Sequence, residues 1–303
     1  MEAAARLAPD RGTDSVIDLL FRRRALRREA VHIDNSREPT LYRPVSQVCT
    51  QSQMVDPAYA YWCEQIDEVP RMHRKQWEFC YILQALARHG MLAPGLRGLG
   101  FGVGGEPLAA LFAARGVSVL ATDLEPERAQ EEGWVHTAQH AASKDGLNAR
   151  GLCDPAKFQK LVDFRFMDMN AIDADLTAGF DFCWSACALE HLGSIGNGLG
   201  FIERSIDCLR PGGVAVHTTE FNCSSNFETL DNDATVLFRK KDFLRLADRL
   251  AERGCSLSFN FHLGEQPLDK HVDLPPYSSD NHLKLLISRW TSTSFGIIAT
   301  KAG

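Results

Sequence analysis

The chain has 303 residues, a formal net charge of −6, and 45% hydrophobic and 24% charged residues, the balance of an ordinary globular protein large enough for one big domain or two. A negative chain lacks the basic footprint that wholesale nucleic-acid binding needs, and no run approaches the ~18 uninterrupted apolar residues of a membrane span. Neither a nucleic-acid nor a membrane partner is expected. The start, "MEAAARLAPDRGTDSVIDLLFRRRALRREA", has Asp10, Asp14 and Asp18 among its arginines and lacks the apolar core of a signal peptide, so a cytoplasmic location is the default. The basic cluster "FRRRALRRE", Phe21 to Glu29, reads as the solvated face of an amphipathic helix ahead of a polyanion contact. Nine cysteines without a C-x-x-C pair signal neither a disulfide framework nor a thiolate zinc site, and buried free thiols are expected.

Up to residue 94 the chain reads as irregular and helical. "HRKQWEFCYILQALARHGML" spaces Trp77, Tyr81, Leu83 and Leu86 for a helix that stops at Gly90 and the following "APG". His73, Arg74, Lys75 and Trp77 stand together at its start, either as a lid over a ligand or as a solvated helix end. From residue 95 strands and helices alternate: strands at Arg97 to Phe101, Val117 to Thr122, Val162 to Phe166, Phe180 to Trp184 and Val214 to Thr219, and helices from Pro107, over Leu199 to Leu209 and over Lys241 to Arg253. Such alternation argues for a mostly parallel sheet covered on both faces, with ligands at the carboxyl ends of the strands. The last two strand-like runs, "CSLSFNFH" and "TSTSFGIIATK", have no helical period between them and should pair antiparallel.

The stretch "GLGFGVGGEPLAALFAARGVSVLATDLEPE", Gly98 to Glu127, sets a glycine-rich turn before an apolar helix, a β-branched run and an aspartate. Gly100, Gly102 and Gly105 match the G-x-G-x-x-G spacing, and Asp123 falls where a ribose-binding acid is expected. The glycines permit a tight turn and close approach of a ligand, Pro107 suits a first helical turn, and the helix N-terminus offers N–H groups to an anion. By itself the turn fits NAD as well as another adenosine cofactor. In "VDFRFMDMNAID", Asp168 and Met169 follow their strand as Asp123 follows its own; they fit an adenine amino group and base plane, or a loop or helix cap.

Farther on, "FDFCWSACALEHLGSIGNGLGFIERSIDCLRPGGVAVHTTEFN" carries "ALEHLG" after the fourth strand and "LRPGG" before the fifth. Together with "GFGVGGE", Asp123 and Asp168, these placements resemble the class I S-adenosylmethionine-dependent methyltransferases, from about residue 95 to the end. The resemblance implies an α/β fold with a Rossmann-like, seven-stranded, mostly parallel sheet and an antiparallel C-terminal edge strand over residues 95–303, with residues 1–94 as an N-terminal helical cap. It implies S-adenosyl-L-methionine as co-substrate: Gly100, Gly102 and Gly104 near its methionine part, Asp123 on the ribose, Asp168 and Met169 on the adenine, and Ser185 also at the cofactor. Members often carry an acid just before the first glycine. Here Leu99 stands there, and Glu106 after the turn is the candidate to compensate.

Methyl transfer to a hydroxyl needs alignment and removal of a proton. His191 is the first candidate base, because imidazole titrates near neutral pH, with Glu190 and Glu220 orienting it or binding substrate; the competing reading of His191 is a helix-start residue bonded to backbone. "LEHLG" followed by "TTEFN" also resembles metal-assisted O-methyltransferases, whose motif is E-x-x-E-H. Cys187 replaces the first glutamate, which removes a hard oxygen ligand for a divalent metal and leaves Glu220 or His262 as substitutes. His217 reads as a core residue, whereas His262, His271 and Asp273, near Pro275, Pro276 and Tyr277, lie in the loop before the last strand, at the acceptor or in a plain connector. The expected function is O-methylation of a polar small molecule or a glycan. The alternatives are an NAD(P)-dependent oxidoreductase, which leaves "LRPGG", Asp168 and the terminal strand pair unexplained, and a non-catalytic nucleoside-binding module, against which the set Glu190, His191 and Glu220 argues. The acceptor and the oligomeric state are not legible.

Overall fold

The computed structural model describes residues 27, 29–131, 140–278 and 280–303. The basic cluster Phe21 to Glu29 lies almost wholly outside them. The described strands are β1 (Val31–Ile33), β2 (Ser46–Val48), β3 (Arg97–Phe101), β4 (Ser118–Asp123), β5 (Val162–Phe166), β6 (Phe180–Ala186), β7 (Leu209–Asn222), β8 (Cys255–Asn260), β9 (Leu285–Ile287) and β10 (Trp290–Lys301), and they join in one sheet. β5, β4, β3, β6 and β7 lie side by side in that order and run parallel. The chain enters at β3, steps outward through β4 to β5, then returns past β3 to lay down β6 and β7. The sheet is therefore doubly wound, with its switch point between β3 and β6.

The fold is the α/β, Rossmann-like class that the alternation implied, and β8 and β10 pair antiparallel through Thr300 and Lys301. The antiparallel strand is not at the edge, however. β10 is held on one side by β7, from Ser292 opposite Asn222 to Thr300 opposite Val214, and on the other by β8 and β2. The seven-strand core thus reads β5-β4-β3-β6-β7-β10-β8, and the N-terminal region adds to it: β1 and β2 both pair parallel with β8. The region before residue 95 is accordingly not purely helical. Three-residue strands carry too little alternation to show in a sequence.

Other boundaries moved for local reasons. "LRPGG" lies inside β7, where the pairing with β6 slips between Phe180 and Phe182 and Gly212 adopts φ +78°; the turn signal was an irregularity within a strand. The loop after β8 contains a helical turn, Pro267–Lys270, and β9. The helix Arg74–Arg88 forms where expected. The His73 side chain accepts the Lys75 N–H at 3.2 Å at its start, and Gly90 at φ +73° follows its end.

Alternation along the strands sends side chains to two cores. Phe182, Trp184, Val214 and Val216 face the helices Arg74–Arg88 and Leu108–Ala114, while Cys183, Ala215, Phe295 and Ile297 face Ile195–Asp207 and Lys240–Glu252. The glycines of β3 belong to this packing. Gly98 and Gly100 lie opposite Phe182 and Trp184; a Cβ on Gly98 would stand 2.5 Å from the Phe182 ring, and one on Gly100 would overlap the Trp184 indole. Phe112 closes edge-on against both rings, at 5.2 and 4.9 Å between centroids. All nine cysteines are free thiols, all but Cys223 buried. Among the described residues no helix is long and apolar enough to cross a membrane.

Candidate functional site

A doubly wound sheet opens a crevice at its switch point, because the loops leaving neighbouring strands there turn to opposite faces. A cavity of about 760 Å³ lies at that point. Its floor is the turn after β3, Gly102 to Glu106; Asp123 ends β4 beside it, Met167 to Asn170 follow β5, Ala186 ends β6, and Cys187, Ala188 and His191 follow it. Lys75, Glu78 and Phe79 of the helix Arg74–Arg88 and residues 232–234 complete the wall.

Gly102 and Gly104 carry the left-handed backbone of the turn, φ +57° and +50°. A Cβ on Gly102 would stand 3.0 Å from that of Ala188 and 3.2 Å from Met169 Sδ, so the bare backbone keeps the floor open. Asp123 ties the turn down: its Oδ2 accepts the N–H groups of Gly104 and Ala141, each at 2.9 Å, and its Oδ1 accepts that of Leu124 at 2.8 Å. Burial raises its pKa, while the three N–H groups pull the other way. Gly100 is placed otherwise; it packs under Trp184 and does not line the cavity. Leu99 is wholly buried in the core. Glu106, in contrast, reaches the cavity wall and accepts the Trp184 indole N–H. Burial pushes its carboxyl well up, against the pull of that hydrogen bond, with Asp123 and Glu78 adding to the rise.

Asp168 and Met169 line the cavity. Asp168 Oδ2 is 2.6 Å from Arg128 Nη1, and its Oδ1 accepts the Asn170 N–H at 2.8 Å. Ser185 does not reach the cavity. Fully buried, its hydroxyl is 2.9 Å from His217 Nδ1, and His217 Nε2 is 3.1 Å from Ser205 Oγ. His217 is the core residue anticipated, its pKa pushed down to about 3 by burial.

The "ALEHLG" segment turns sharply out of β6 at Cys187, φ +52°, whose N–H is held by Thr218 O and Oγ1, each at 3.1 Å. A single helical turn, Leu189–His191, then brings His191 to the cavity. Its Nδ1 is 2.8 Å from the Ala234 carbonyl, so that nitrogen carries the proton, and Nε2 lies 3.8 Å from Glu190 Oε1. Glu190 is fully buried; Oε2 accepts the Thr219 hydroxyl at 3.0 Å, and among the described residues Oε1 has no hydrogen-bond partner. Glu220 stands behind the wall, where Oε1 is 2.5 Å from Arg74 Nη1 and Oε2 accepts Ser292 Oγ at 2.7 Å. It does not line the cavity. Burial pushes its carboxyl up, but Arg74 and then Lys75 outweigh that and hold it below the usual range.

Glu78 is the residue that motif reading missed, and Arg74, grouped there with the helix start, is instead buried beside it. Glu78, raised by burial against the pull of Lys75 and Arg74, accepts Ser294 Oγ at 2.5 Å and Thr218 Oγ1 at 3.1 Å. Spacing held a clue: Arg74, Trp77, Glu78 and Tyr81 share one stripe of the helix, so the charges lie on its apolar face. Of the four residues read as either a lid or a solvated helix end, Lys75 alone lines the cavity; Arg74 and Trp77 are buried, and His73 stacks on His282 at 4.8 Å. In the loop before β10, Asp273 Oδ2 binds His282 Nδ1 at 2.6 Å, and His262 Nδ1 accepts the Gly264 N–H. Neither they nor His271 line the cavity.

A metal does not fit this chain as the sequence suggested. Cys187, Glu190 and Glu220 bring ligand atoms within 4.8 Å of one another, and His262 is not of that group. The Arg74 guanidinium already stands among them, 2.5 Å from Glu220 Oε1 and 3.8 Å from Cys187 Sγ.

No family model matches the chain, and no curated protein matches it. Among solved structures it is similar to the 1,6-didemethyltoxoflavin-N1-methyltransferase of Burkholderia thailandensis with bound S-adenosylhomocysteine, at 17% identity over 84% of this chain and 80% of that one, TM-score 0.41. It is also similar to phosphoethanolamine N-methyltransferase 2 of Haemonchus contortus in complex with S-adenosyl-L-methionine (19%, 66% and 41%, TM-score 0.40) and to the cyclase SpnF (19%, 57% and 57%, TM-score 0.41). The chain spans less than two thirds of the latter two. Likeness at this level carries no activity over to the chain.

Proposed function

We propose that the chain is an S-adenosylmethionine-dependent methyltransferase acting on a hydroxyl of a polar small molecule or glycan. The observation that carries this reading is the convergence on one switch-point cavity of the glycine turn, Asp123, the Asp168–Met169 pair and His191. Its volume, about 760 Å³, is of the size that takes a cofactor-sized ligand. Asp123, already fastened to the turn, is positioned to accept a ribose diol on its remaining lone pairs. Met169 beside Gly102 offers an apolar face for a base, and the Gly104 and Gly105 backbone leaves room for the methionine end.

When bound, S-adenosylmethionine supplies an electrophilic methyl group and a neutral thioether leaving group. The protein's part is alignment and proton removal. Because Nδ1–H of His191 is donated to the Ala234 carbonyl, the lone pair of the neutral ring is at Nε2, the correct tautomer for taking the acceptor's proton as its oxygen attacks. The imidazolium that forms is faced by Glu190 Oε1 at 3.8 Å. Lys75, Glu78 and the polar 232–234 wall suit a hydroxylated acceptor.

Calorimetric titration with S-adenosylmethionine, S-adenosylhomocysteine and NAD(H) tests the reading, together with transfer of a labelled methyl group to a panel of hydroxylated acceptors. Binding of the first two and not of NAD(H) is expected. Tight binding of NAD(H) alone overturns it, and binding of S-adenosylmethionine without turnover on the panel favours a nucleoside-binding module.

A further inference from the structure

We infer that Arg74 is the resident cation of the pocket framed by Cys187, Glu190 and Glu220, a side chain holding the place that a metal ion would take. The three residues are buried with their ligand atoms within 4.8 Å of one another, and Glu78 adds a further buried carboxylate. Gathering carboxylates away from water costs several kcal/mol apiece unless cations face them. Arg74 does so: Nη1 lies 2.5 Å from Glu220 Oε1, 3.5 Å from Glu78 Oε1, 3.1 Å from Ser294 Oγ and 3.8 Å from Cys187 Sγ, while Lys75 Nζ stands farther out, 3.8 Å from Glu78 Oε1.

Metals bind carboxylate oxygens at about 2.0–2.6 Å. An ion on Glu220 Oε1 would therefore collide with the guanidinium. The guanidinium keeps its charge at every working pH. The cation reaches the pocket on a helix from the N-terminal region, so it comes with folding and not from solution. Arg74 is thus a positioning residue. It fixes Glu220 behind the wall and Cys187 in it, and leaves Glu190 Oε1 facing His191.

Zinc titration by calorimetry tests this, and its readout is metal binding, so its failure is separable from failure of the methyl-transfer reading. The wild-type chain is expected to show no saturable one-to-one zinc site that Glu190→Gln removes. Arg74→Ala should gain such a site, at least about tenfold tighter than any binding by the wild type, and lose it again with Glu220→Gln added. Millimolar guanidinium should compete with zinc in Arg74→Ala, an effect that an arginine with only a structural role would not produce. A Glu190-dependent zinc site in the wild type overturns the inference, as does a folded Arg74→Ala that gains none. Should Arg74→Ala fail to fold, as judged by circular dichroism, the wild-type titration decides alone.

Discussion

The two halves of the cleft solve the same problem, a carboxylate out of water, in different ways. On the turn side Asp123 is satisfied by three backbone N–H groups from Gly104, Leu124 and Ala141. On the side of His191 the acids Glu78 and Glu220 are satisfied by a guanidinium and by serine and threonine hydroxyls, and Glu190 keeps one oxygen unpartnered. Backbone donors lock a geometry and leave little to change. A charged side-chain network can instead hold a proton or a neighbour's charge while the reaction proceeds. On the proposed function the turn side binds and the other side reacts.

The largest test of that division is His191→Ala. Turnover should fall about 10²- to 10⁴-fold, measured by methyl transfer, while calorimetry finds S-adenosylmethionine affinity unchanged. Next, Asp123→Ala should weaken cofactor binding by roughly ten- to a hundredfold, the scale of one or two charge-assisted hydrogen bonds; equal loss of binding in both variants would erase the contrast. Gly100→Ala should cost about 1–3 kcal/mol in urea unfolding, through overlap with Trp184, with cofactor affinity kept, because the position packs and does not line the cavity. A further test concerns His217. Its folded pKa is about 3 against 6.5, so between these values the unfolded chain takes up a proton that the native chain refuses, and stability falls as pH drops through that window. The contribution is up to about 1.4 kcal/mol per pH unit. It should appear as a steeper loss of urea midpoint from pH 7 to 5 in the wild type than in His217→Gln.

The turn side was readable because its parts are local. Gly102, Gly104 and Asp123 sit on consecutive elements of one βαβ unit, where spacing dictates proximity, and the same logic places Asp168 and Met169 at the cavity. The place of His191 at the cavity follows from its position just beyond a strand end. Gly100 and Ser185 were misassigned because a motif does not say which face of a strand points to ligand and which to core. The charged network was invisible for a different reason: Arg74, Cys187, Glu220 and Ser294 are far apart in sequence, and only the docking of the helix Arg74–Arg88 onto β7 and β10 unites them. β10's interior position escaped because the strands flanking it include β2, three residues long and from the opposite end of the chain.

That last pairing bears on how the molecule assembles. β1 and β2 find their partners in β8 and β10, more than two hundred residues later. During synthesis β1 and β2 meet these partners only after β8 and β10 have left the ribosome. Contacts of such sequence separation slow folding, and they leave strand edges exposed in the meantime. The order in which the polypeptide emerges is thus opposite to the order in which this side of the sheet can close, and the parallel centre, β3 to β7, is the part free to fold first.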